Sequence, residues 1–408
     1  MDNGGPSNPP AYRPNGKYVL LLGLMCALPA VTNDIYLPSL PDVARDLDTT
    51  TTAVQLTLTG VLLGGAVGQL VVGPLSDRHG RRAPVLVGVA LHVVISLLCS
   101  IAPGIGTLIA LRVIQGFFNA AATVVAMAVI RDRFVGSDAS RLLSRLMLVI
   151  GVAPLFAPTL GGLIAGQAGW RAVFVALAVF GAALWVVVWR RLPETLPPER
   201  RREAGLRSAL RGYATLLRDR QFAAVAVLPG LAMALLMSYV VGSPFVLREG
   251  FGLSANEFAL LFAVNGVALV GGAQVNATLV RRIAPIRILR VALPLSLAMA
   301  VVLLVVALTG AGGLLGLLVV LWLLLGLIHF IPPNAAAIAL RRHGAMAGTA
   351  AAFIGSLQAG VAGVVSPLVG VFGGDLRAMC LVMVASATLA LVIFAVGTPA
   401  YHRGGWRT

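Results

Sequence analysis

The chain has 408 residues, of which 58% are hydrophobic and only 11% are charged, and its mean hydropathy is +0.92. A water-soluble protein of this length needs more charged surface, so the composition excludes a soluble enzyme and indicates a protein whose solvent is a lipid bilayer. The formal net charge of +16 would suit a nucleic-acid-binding protein, but the positions of the basic residues argue against that class.

Twelve apolar stretches are each long enough to cross a bilayer as a helix. They cover residues 17–39, 53–73, 83–102, 105–130, 141–166, 170–190, 222–247, 257–280, 287–308, 313–334, 345–372 and 376–398. The polar residues 1–16, rich in Pro and Gly, are predicted to form a disordered tail, and residues 399–408 form a second tail.

The basic residues are distributed unequally about these spans. Of the 31 Lys and Arg, Arg112 lies inside a span and four lie in the predicted outer gaps (Arg45, Arg171, Arg248 and Arg377), which leaves 26 on the inner side. Because Lys and Arg near span ends resist translocation, this asymmetry predicts that both termini are cytoplasmic. The excess charge therefore sets the topology, and no nucleic acid is expected as a partner.

The segment GPLSDRHGRR, Gly73–Arg82, fills a short gap between the second and third spans. Its glycine and charged residues are Gly73, Asp77, Arg78, Gly80, Arg81 and Arg82. Gly73 would let two helices approach closely, and Asp77 would accept hydrogen bonds from the N–H groups that open the third span. The arginines would hold the gap on the cytoplasmic side. A basic turn that only sets topology is the alternative, but the spacing is more specific than that and indicates a conformational motif.

Asp34 and Arg112 are the charged residues that lie well inside predicted spans, the first and the fourth. Membrane-embedded charges are costly unless paired or hydrated, so both are functional candidates. They lie roughly 7 and 10 Å from the outer ends of their spans and hence at similar depth, where a direct or water-bridged pair is plausible. A lone carboxyl group in a cavity of changing wetness is a candidate proton carrier. A fixed Asp34–Arg112 bridge between helices is the alternative.

Gln115 and Asn119 follow Arg112 at i+3 and i+7, so the three residues form one stripe on the fourth helix. This stripe would line a cavity or form interhelical hydrogen bonds. Other candidates for the cavity are the polar residues Asn33, Tyr36, Asn265 and Gln358 and the soft apolar residues Met233, Met237, Tyr239 and Phe262. Such a mixture suits a modest amphipathic molecule, although most of these residues could equally serve ordinary packing.

The fifth span carries Pro154, Pro158 and the pair Gly161-Gly162. A Pro removes a backbone hydrogen bond and glycines permit close contact, so this helix is predicted to bend against its neighbour. The three Cys (Cys26, Cys99, Cys380) share no metal-like spacing, and the sequence predicts neither a metal site nor a cofactor.

Residues 191–221 are too charged to cross a membrane and divide the chain into halves, 17–190 and 222–398. Two patterns of the first half recur in the second: residues 151–161 return as 360–370, and residues 73–82 return in part as 272–281. Corresponding spans differ by six, so the repeats run parallel. The predicted fold is an all-α membrane protein with twelve transmembrane helices in two six-helix bundles related by a pseudo-two-fold axis. The linker forms either an amphipathic surface helix or a flexible tether.

Further segments carry a family resemblance. They are NDIYLP at 33–38, LR at 111–112 with QG at 115–116, RD at 131–132, APTLGG at 157–162 and LPETL at 192–196. Together with Gly73–Arg82, they resemble the Bcr/CflA branch of drug-resistance transporters in the major facilitator superfamily. The match covers the whole first half. In the second half it consists mainly of the number of helices and the repeated patterns. APTLGG is similar to the G-P-x-x-G-G element of drug–proton antiporters, with Ala157 in place of the first Gly.

The resemblance implies the major facilitator fold and a proton-driven exporter of small antibiotics of the bicyclomycin or chloramphenicol type in the bacterial inner membrane. It places Asp34 and Arg112 at the family's coupling positions, with protons, drug and the lipid bilayer as partners of a monomer. Some relatives have a second carboxylate earlier in the first helix, where this chain has Cys26, so neutral or monovalent substrates are expected.

Three other functions are weighed against export. A proton-coupled importer or exporter of a metabolite would use the same fold. A membrane enzyme would need paired carboxylates or a His beside an acid, and His92 and His329 have no acidic neighbour in sequence. A passive channel would not need a proton carrier at Asp34.

Overall fold

The computed structural model describes residues 16–134, 136–201, 206–343 and 346–399. The first half contains α1 (Gly16–Asp34), a 3₁₀ turn (Leu37–Ser39), α2 (Leu40–Asp46), α3 (Thr51–His79), α4 (Arg82–Ser100), α5 (Ile105–Arg133) and α6 (Gly136–Arg191). The linker contains a 3₁₀ turn (Pro198–Arg200) and α7 (Leu206–Arg218). The second half contains α8 (Arg220–Ala226), α9 (Leu228–Pro244), a π-helical turn (Phe245–Gly250), α10 (Ala255–Leu279), α11 (Pro285–Thr309), α12 (Gly313–Ile328), α13 (Ile331–Arg342), α14 (Ala347–Val365), α15 (Leu368–Val371) and α16 (Leu376–Gly397).

Eleven helical stretches in these described ranges are long and apolar enough to cross a membrane. One of them, Phe156–Arg191, includes Gly169, where a φ of 79° interrupts the helical dihedrals of α6. Gly169 therefore separates the predicted fifth and sixth helices, and the prediction of twelve helices in an all-α membrane fold is confirmed. All backbone groups of such helices are satisfied internally, which is why this architecture suits lipid.

The boundaries differ from the prediction at both ends of the first helix. Gly16 already belongs to α1, so the predicted tail is one residue too long, and residues 1–15 lie outside the described ranges. At the other end α1 stops at Asp34, although the predicted span continues to residue 39. The chain then turns into the short α2 because Pro38 and Pro41 suit the first turn of a helix and not its interior.

The predicted gap Gly73–Arg82 is largely helical. α3 continues to His79, and only Gly80 and Arg81 lie between α3 and α4. The expectation for Gly73 was wrong, because a Cβ there would meet nothing within 4 Å. The close approach of α3 occurs further back, at Gly64, where a Cβ would collide with the carbonyl oxygen of Val113 in α5.

The two halves meet between α6 and α10 and along a seam between α3 and the helices α14 and α15. Glycines of the second half make this contact possible: a Cβ at Gly363 would lie 3.0 Å from Leu63, and one at Gly370 would collide with the amide oxygen of Gln55. The linker helix α7 also bridges the halves, since the Tyr213 hydroxyl donates to the carbonyl oxygen of Leu70 over 3.3 Å.

The linker helix is only partly the predicted surface helix. Leu210 and Leu217 are exposed, as expected for an amphipathic helix, but Tyr213 is buried and stacks on Phe353 with ring centroids 5.7 Å apart. The described part of the linker is therefore docked onto the second half rather than free.

Candidate functional site

Arg112 lies on α5 with its side chain completely buried. Its Nη1 donates to the Gln115 side-chain oxygen at 2.7 Å and to the carbonyl oxygen of Thr32 at 3.3 Å, and its Nη2 donates to the Asn33 side-chain oxygen at 3.5 Å. The i+3 spacing of Gln115 brings it beside Arg112 on one face of the helix. These contacts join α5 to the last turn of α1 through neutral oxygen acceptors.

Two aromatic rings cover the guanidinium. Its central carbon lies 5.0 Å from the ring centroid of Tyr36 and 5.6 Å from that of Phe174. Tyr36 is completely buried, and its hydroxyl lies 3.4 Å from that of Thr57. Such rings stabilise a desolvated cation through their negative faces, so the aromatic contacts offset part of the cost of burying Arg112.

Asp34 is the last residue of α1 and is 8% exposed. The structure does not bring Asp34 and Arg112 into an ion pair: the Nη atoms of Arg112 donate to Gln115, Thr32 and Asn33, and its buried Nε has no hydrogen-bond partner among the described residues. The proposed direct bridge is therefore absent from the described residues. Each charge instead lies buried without an opposite charge beside it, which is costly in a membrane and typical of a functional site.

The turn Leu37–Ser39, which follows Asp34, contacts α9 and α10 of the second half, so Asp34 lies near the boundary between the two halves. On these two helices Tyr239 stacks on Phe262 with ring centroids 5.5 Å apart, and the Asn265 side-chain nitrogen donates to the Tyr239 hydroxyl at 3.0 Å. Met237 is buried in the same apolar cluster, and Met233 packs at its edge. These residues form an aromatic wall of the second half near the end of α1.

The remaining predicted cavity residues are not joined to this cluster. Asn119 is 1% exposed, and among the described residues neither its amide nitrogen nor its amide oxygen has a hydrogen-bond partner. Gln358 is half-buried on α14, and no contact of the described residues connects it to Asp34 or Arg112. Asn119 has an unmet hydrogen-bonding capacity one helical turn from Gln115, whereas the placement of Gln358 supports no particular role.

The proline and glycine residues of the fifth span have different surroundings. A Cβ at Gly161 would collide with the carbonyl oxygen of Ile35, so this glycine allows α6 to contact the chain directly after Asp34. Pro158 and Gly162 are buried, and the side chain of Pro154 lies outside what the structure describes. The helix is continuous through both prolines, and its dihedrals become non-helical only at Gly169.

Several residues of this site were not predicted. Thr32 contributes only its carbonyl oxygen, which any residue has, and Phe174 was one apolar residue among many in its span. Ser96 of α4 accepts a hydrogen bond from the Gln115 side-chain nitrogen at 2.7 Å. No signal in the sequence marks Ser96, because its partner lies on another helix.

Arg81 organises a second polar cluster, at the ends of α3 and α5. Its Nη1 donates to Asp77 at 2.5 Å and to the Ser76 hydroxyl at 2.8 Å, and its Nε donates to Asp132 at the end of α5 at 2.8 Å. The expectation that Asp77 caps α4 was wrong, because the side chain of Arg81 folds back to it. Arg78 is exposed and has no part in this cluster.

Glu194, after α6, takes the capping position instead. Its carboxylate accepts the backbone N–H groups of Arg81 at 2.8 Å and Arg82 at 3.1 Å, and also those of Thr195 and Leu196 at 2.9 Å each. Burial alone would raise the pKa of Glu194, but these four donors outweigh it and hold the pKa below its ordinary value. Gly80 has a φ of 89° and no room for a Cβ beside Glu194, so glycine is required there.

Comparisons with known proteins agree with this architecture. The sequence model of the Major Facilitator Superfamily matches residues 20–367. The chain is 34% identical over 389 residues to the "Uncharacterized MFS-type transporter YdgK" of Bacillus subtilis (strain 168), covering 94% of this chain and 96% of the relative. It is 31% identical over 359 residues to the "Bicyclomycin resistance protein homolog" of Haemophilus influenzae, covering 86% and 88%. A crystal structure of a mutant of the nucleoside transporter NupG has a TM-score of 0.75 at 12% identity, covers 95% of this chain and 100% of its own, and shows a common fold.

Proposed function

The chain belongs to the major facilitator superfamily, and from this we propose that it exports small amphipathic antibiotics across the bacterial cytoplasmic membrane in exchange for protons. It is a multi-pass membrane transporter and not an enzyme. The name of the Haemophilus relative supports a drug as the substrate. The observation that carries proton exchange is Asp34, a buried carboxyl group without an adjacent counter-ion at the boundary of the two halves.

Proton exchange at Asp34 follows from its surroundings. A carboxyl group in an apolar site is favoured in its neutral form, and contact with water or with a cation favours the charged form. When the halves tilt so that the site opens to the periplasm, Asp34 takes up a proton. When they tilt so that it opens to the cytoplasm, an incoming drug displaces the proton, and the drug then leaves on the outward return.

The wall formed by Tyr239 and Phe262 supports an amphipathic substrate. Its stacked rings are buried in this structure and would offer an apolar surface when the site opens, and the Tyr239 hydroxyl and the Asn265 amide add polar groups at one edge. Pockets that bind drug-sized molecules combine these features. With one carboxylate in the site, neutral and monovalent drugs are the expected substrates.

Arg248 is the candidate for a contact that keeps the outer side closed. It belongs to the π-helical turn of the second half, and its Nη1 donates to the carbonyl oxygen of Pro38 in the first half at 2.6 Å. Pro38 lies four residues after Asp34, so this contact would hold the two halves together beside the site. Alternating access requires that the contact breaks when the drug leaves.

Uptake of labelled chloramphenicol by inverted membrane vesicles tests the proposal, because export from the cell becomes uptake in vesicles of this orientation. Wild type should accumulate the drug when respiration acidifies the vesicle interior, and a protonophore should abolish the accumulation. Asp34→Asn should not accumulate it, whereas Asp48→Asn, which changes an exposed Asp of the first half, should behave as wild type.

Three results would contradict the proposal. Full drug accumulation by Asp34→Asn would remove Asp34 from the coupling mechanism. If no antibiotic of a broad panel is accumulated by wild type but a metabolite is, the chain carries a metabolite on the same fold. A protonophore-insensitive flux would indicate a passive channel.

A further inference from the structure

Arg112 is held in place through Gln115, and Gln115 is held in turn by Ser96 of α4. The Gln115 side-chain oxygen accepts from Arg112 at 2.7 Å, and its side-chain nitrogen donates to the Ser96 hydroxyl oxygen at 2.7 Å. All three side chains are completely buried. Since Arg112 reaches α1, the chain of contacts crosses three helices.

The directions of the hydrogen bonds in this chain follow from the partners of each group. The Ser96 hydroxyl donates to the carbonyl oxygen of His92, one turn earlier, at 2.7 Å, and its oxygen also lies 3.5 Å from the His92 ring nitrogen Nε2. Because a hydroxyl has one proton, Ser96 can only accept from Gln115, and Gln115 must present its NH₂ group to Ser96. Its oxygen is then left facing the guanidinium of Arg112, which has donors and no acceptor.

A reversed Gln115 amide would have the opposite effect. Its NH₂ group would face the Arg112 guanidinium, so two donors would oppose each other while a buried cation lost an acceptor. Without Ser96, Gln115 loses its hydrogen-bond acceptor on α4, and Arg112 alone is left to favour the correct orientation. The consequence would be a looser Arg112 and, through its hydrogen bond to Thr32, a looser last turn of α1, where Asp34 lies.

We propose that Ser96 is a positioning residue for proton exchange: it fixes the polarity of the Gln115 side chain, which orients Arg112 and thereby the end of α1 that carries Asp34. This role rests on the proposed function of Asp34. The helix α4 supplies neither Asp34 nor Arg112. Through Ser96 it nevertheless helps to set the proton affinity of the site.

Four substitutions on α4 separate this role from general packing. Ser100, four residues after Ser96, is also buried and donates to the carbonyl oxygen of Leu97 at 2.6 Å, but it makes no hydrogen bond to another helix in the described chain. Ser100→Ala is therefore a matched control for Ser96→Ala. Ser96→Thr keeps the hydroxyl and should rescue the function, and Ser96→Cys keeps the volume with a poorer acceptor in case Ser96→Ala does not fold.

The readout is modification of Asp34 by dicyclohexylcarbodiimide, which reacts with protonated carboxyl groups in apolar sites, followed by mass spectrometry of the peptide that contains Asp34. The pH at which half of the modification is lost reports the proton affinity of Asp34. Ser96→Ala should move this midpoint by about 0.5 pH unit or more. It should also lower chloramphenicol turnover about fivefold. Ser100→Ala and Ser96→Thr should do neither, and in a Gln115→Ala background Ser96→Ala should cause no further shift.

Several outcomes would overturn the positioning role. These are an unchanged midpoint and turnover in Ser96→Ala and Ser96→Cys, equal effects of Ser96→Ala and Ser100→Ala, or an undiminished effect of Ser96→Ala when Gln115 is already replaced. A wild-type protein in which Asp34 shows no pH-dependent modification would instead contradict the proposed function itself. The two failures are therefore distinguishable.

Discussion

Arg112 donates a hydrogen bond to the carbonyl oxygen of Thr32 over 3.3 Å, and so the buried cation holds the last turn of α1 by its backbone and not by a salt bridge to Asp34. This geometry leaves the Asp34 carboxyl group without a counter-ion among the described residues, as the proposed proton exchange requires. It also makes Arg112 a costly residue, because a completely buried guanidinium has only neutral acceptors and aromatic rings around it.

Replacing Arg112 with an apolar residue should therefore affect transport far more than stability. Removing one partner of a buried ion pair costs about 3–5 kcal/mol of stability, because the other charge is left buried and unpaired. Removing a buried charge that has no ionic partner leaves no such charge behind. We expect Arg112→Met to lower drug transport about tenfold or more. Its thermal midpoint in detergent should stay close to that of wild type, as should that of the exposed-site control Arg78→Met. A large fall in the midpoint would show that Arg112 is mainly a structural bridge.

The contact between Arg248 and Pro38 should control opening of the outer side. Arg248→Ala removes a charged hydrogen bond between the two halves, which is worth about 1.5–3 kcal/mol, and should shift the population toward the outward-open state. Spin labels at Thr49 and Phe251 should report a longer distance in this variant by electron resonance. Arg377→Ala, at an exposed outer arginine of the second half, should leave the distance unchanged. Equal distances in all three proteins would refute this role.

Gly370 should be required for close contact of the two halves. A Cβ at this position would collide with the Gln55 side-chain oxygen and lie 3.0 Å from the Cα atom of Thr52, so Gly370→Ala must push α15 away from α3. Gly360→Ala is the control, because its Cβ would lie 3.7 Å from Ala66, an ordinary contact. We expect Gly370→Ala to lower the thermal midpoint by several degrees, corresponding to about 1–3 kcal/mol of overpacking. A midpoint equal to that of Gly360→Ala would contradict the structure of the seam.

The Glu194 cap should make stability depend on pH at the acidic end. A carboxyl group whose pKa is lowered in the folded state stabilises the protein above its unfolded pKa, and this stabilisation is lost as pH falls through the folded pKa. Wild type should therefore be more stable than Glu194→Gln at neutral pH, and the difference should vanish as pH falls below the ordinary value of 4.5. Thermal midpoints in detergent from pH 7 downward measure this. Glu199→Gln, in the same linker, should not differ from wild type, and a pH-independent difference for Glu194→Gln would exclude its charge as the cause.

The helices could be predicted because a bilayer demands long apolar segments, but their ends could not. α3 continues beyond the apolar run to His79, since a helix that leaves the hydrocarbon can be polar and still keep its backbone hydrogen bonds. Hydropathy therefore predicted a loop where seven residues are helical. The sequence also predicted that Asp77 caps the next helix, but the cap is Glu194, more than a hundred residues later in the chain.

The charged residues of the site could also be predicted, but not their contacts. Similar depths for Asp34 and Arg112 followed from their positions in the spans, yet depth fixes neither the rotation of a helix nor the direction of a side chain. The aromatic partners and Ser96 depend on contacts between helices. Such contacts need the packed structure, because every helix has several polar and aromatic residues that could face a neighbour.

The central claim is that drug and proton compete for Asp34, and proton release on drug binding tests it most directly. Chloramphenicol, or the antibiotic that the vesicle experiment identifies, is added to the purified protein in detergent at low buffer strength, and the pH change is recorded with an indicator dye. At a pH below the midpoint of Asp34, where the carboxyl group is protonated, wild type should release about one proton per bound drug, and Asp34→Asn should release none. Equal proton release by both proteins, or drug binding by wild type without any release, would contradict the mechanism.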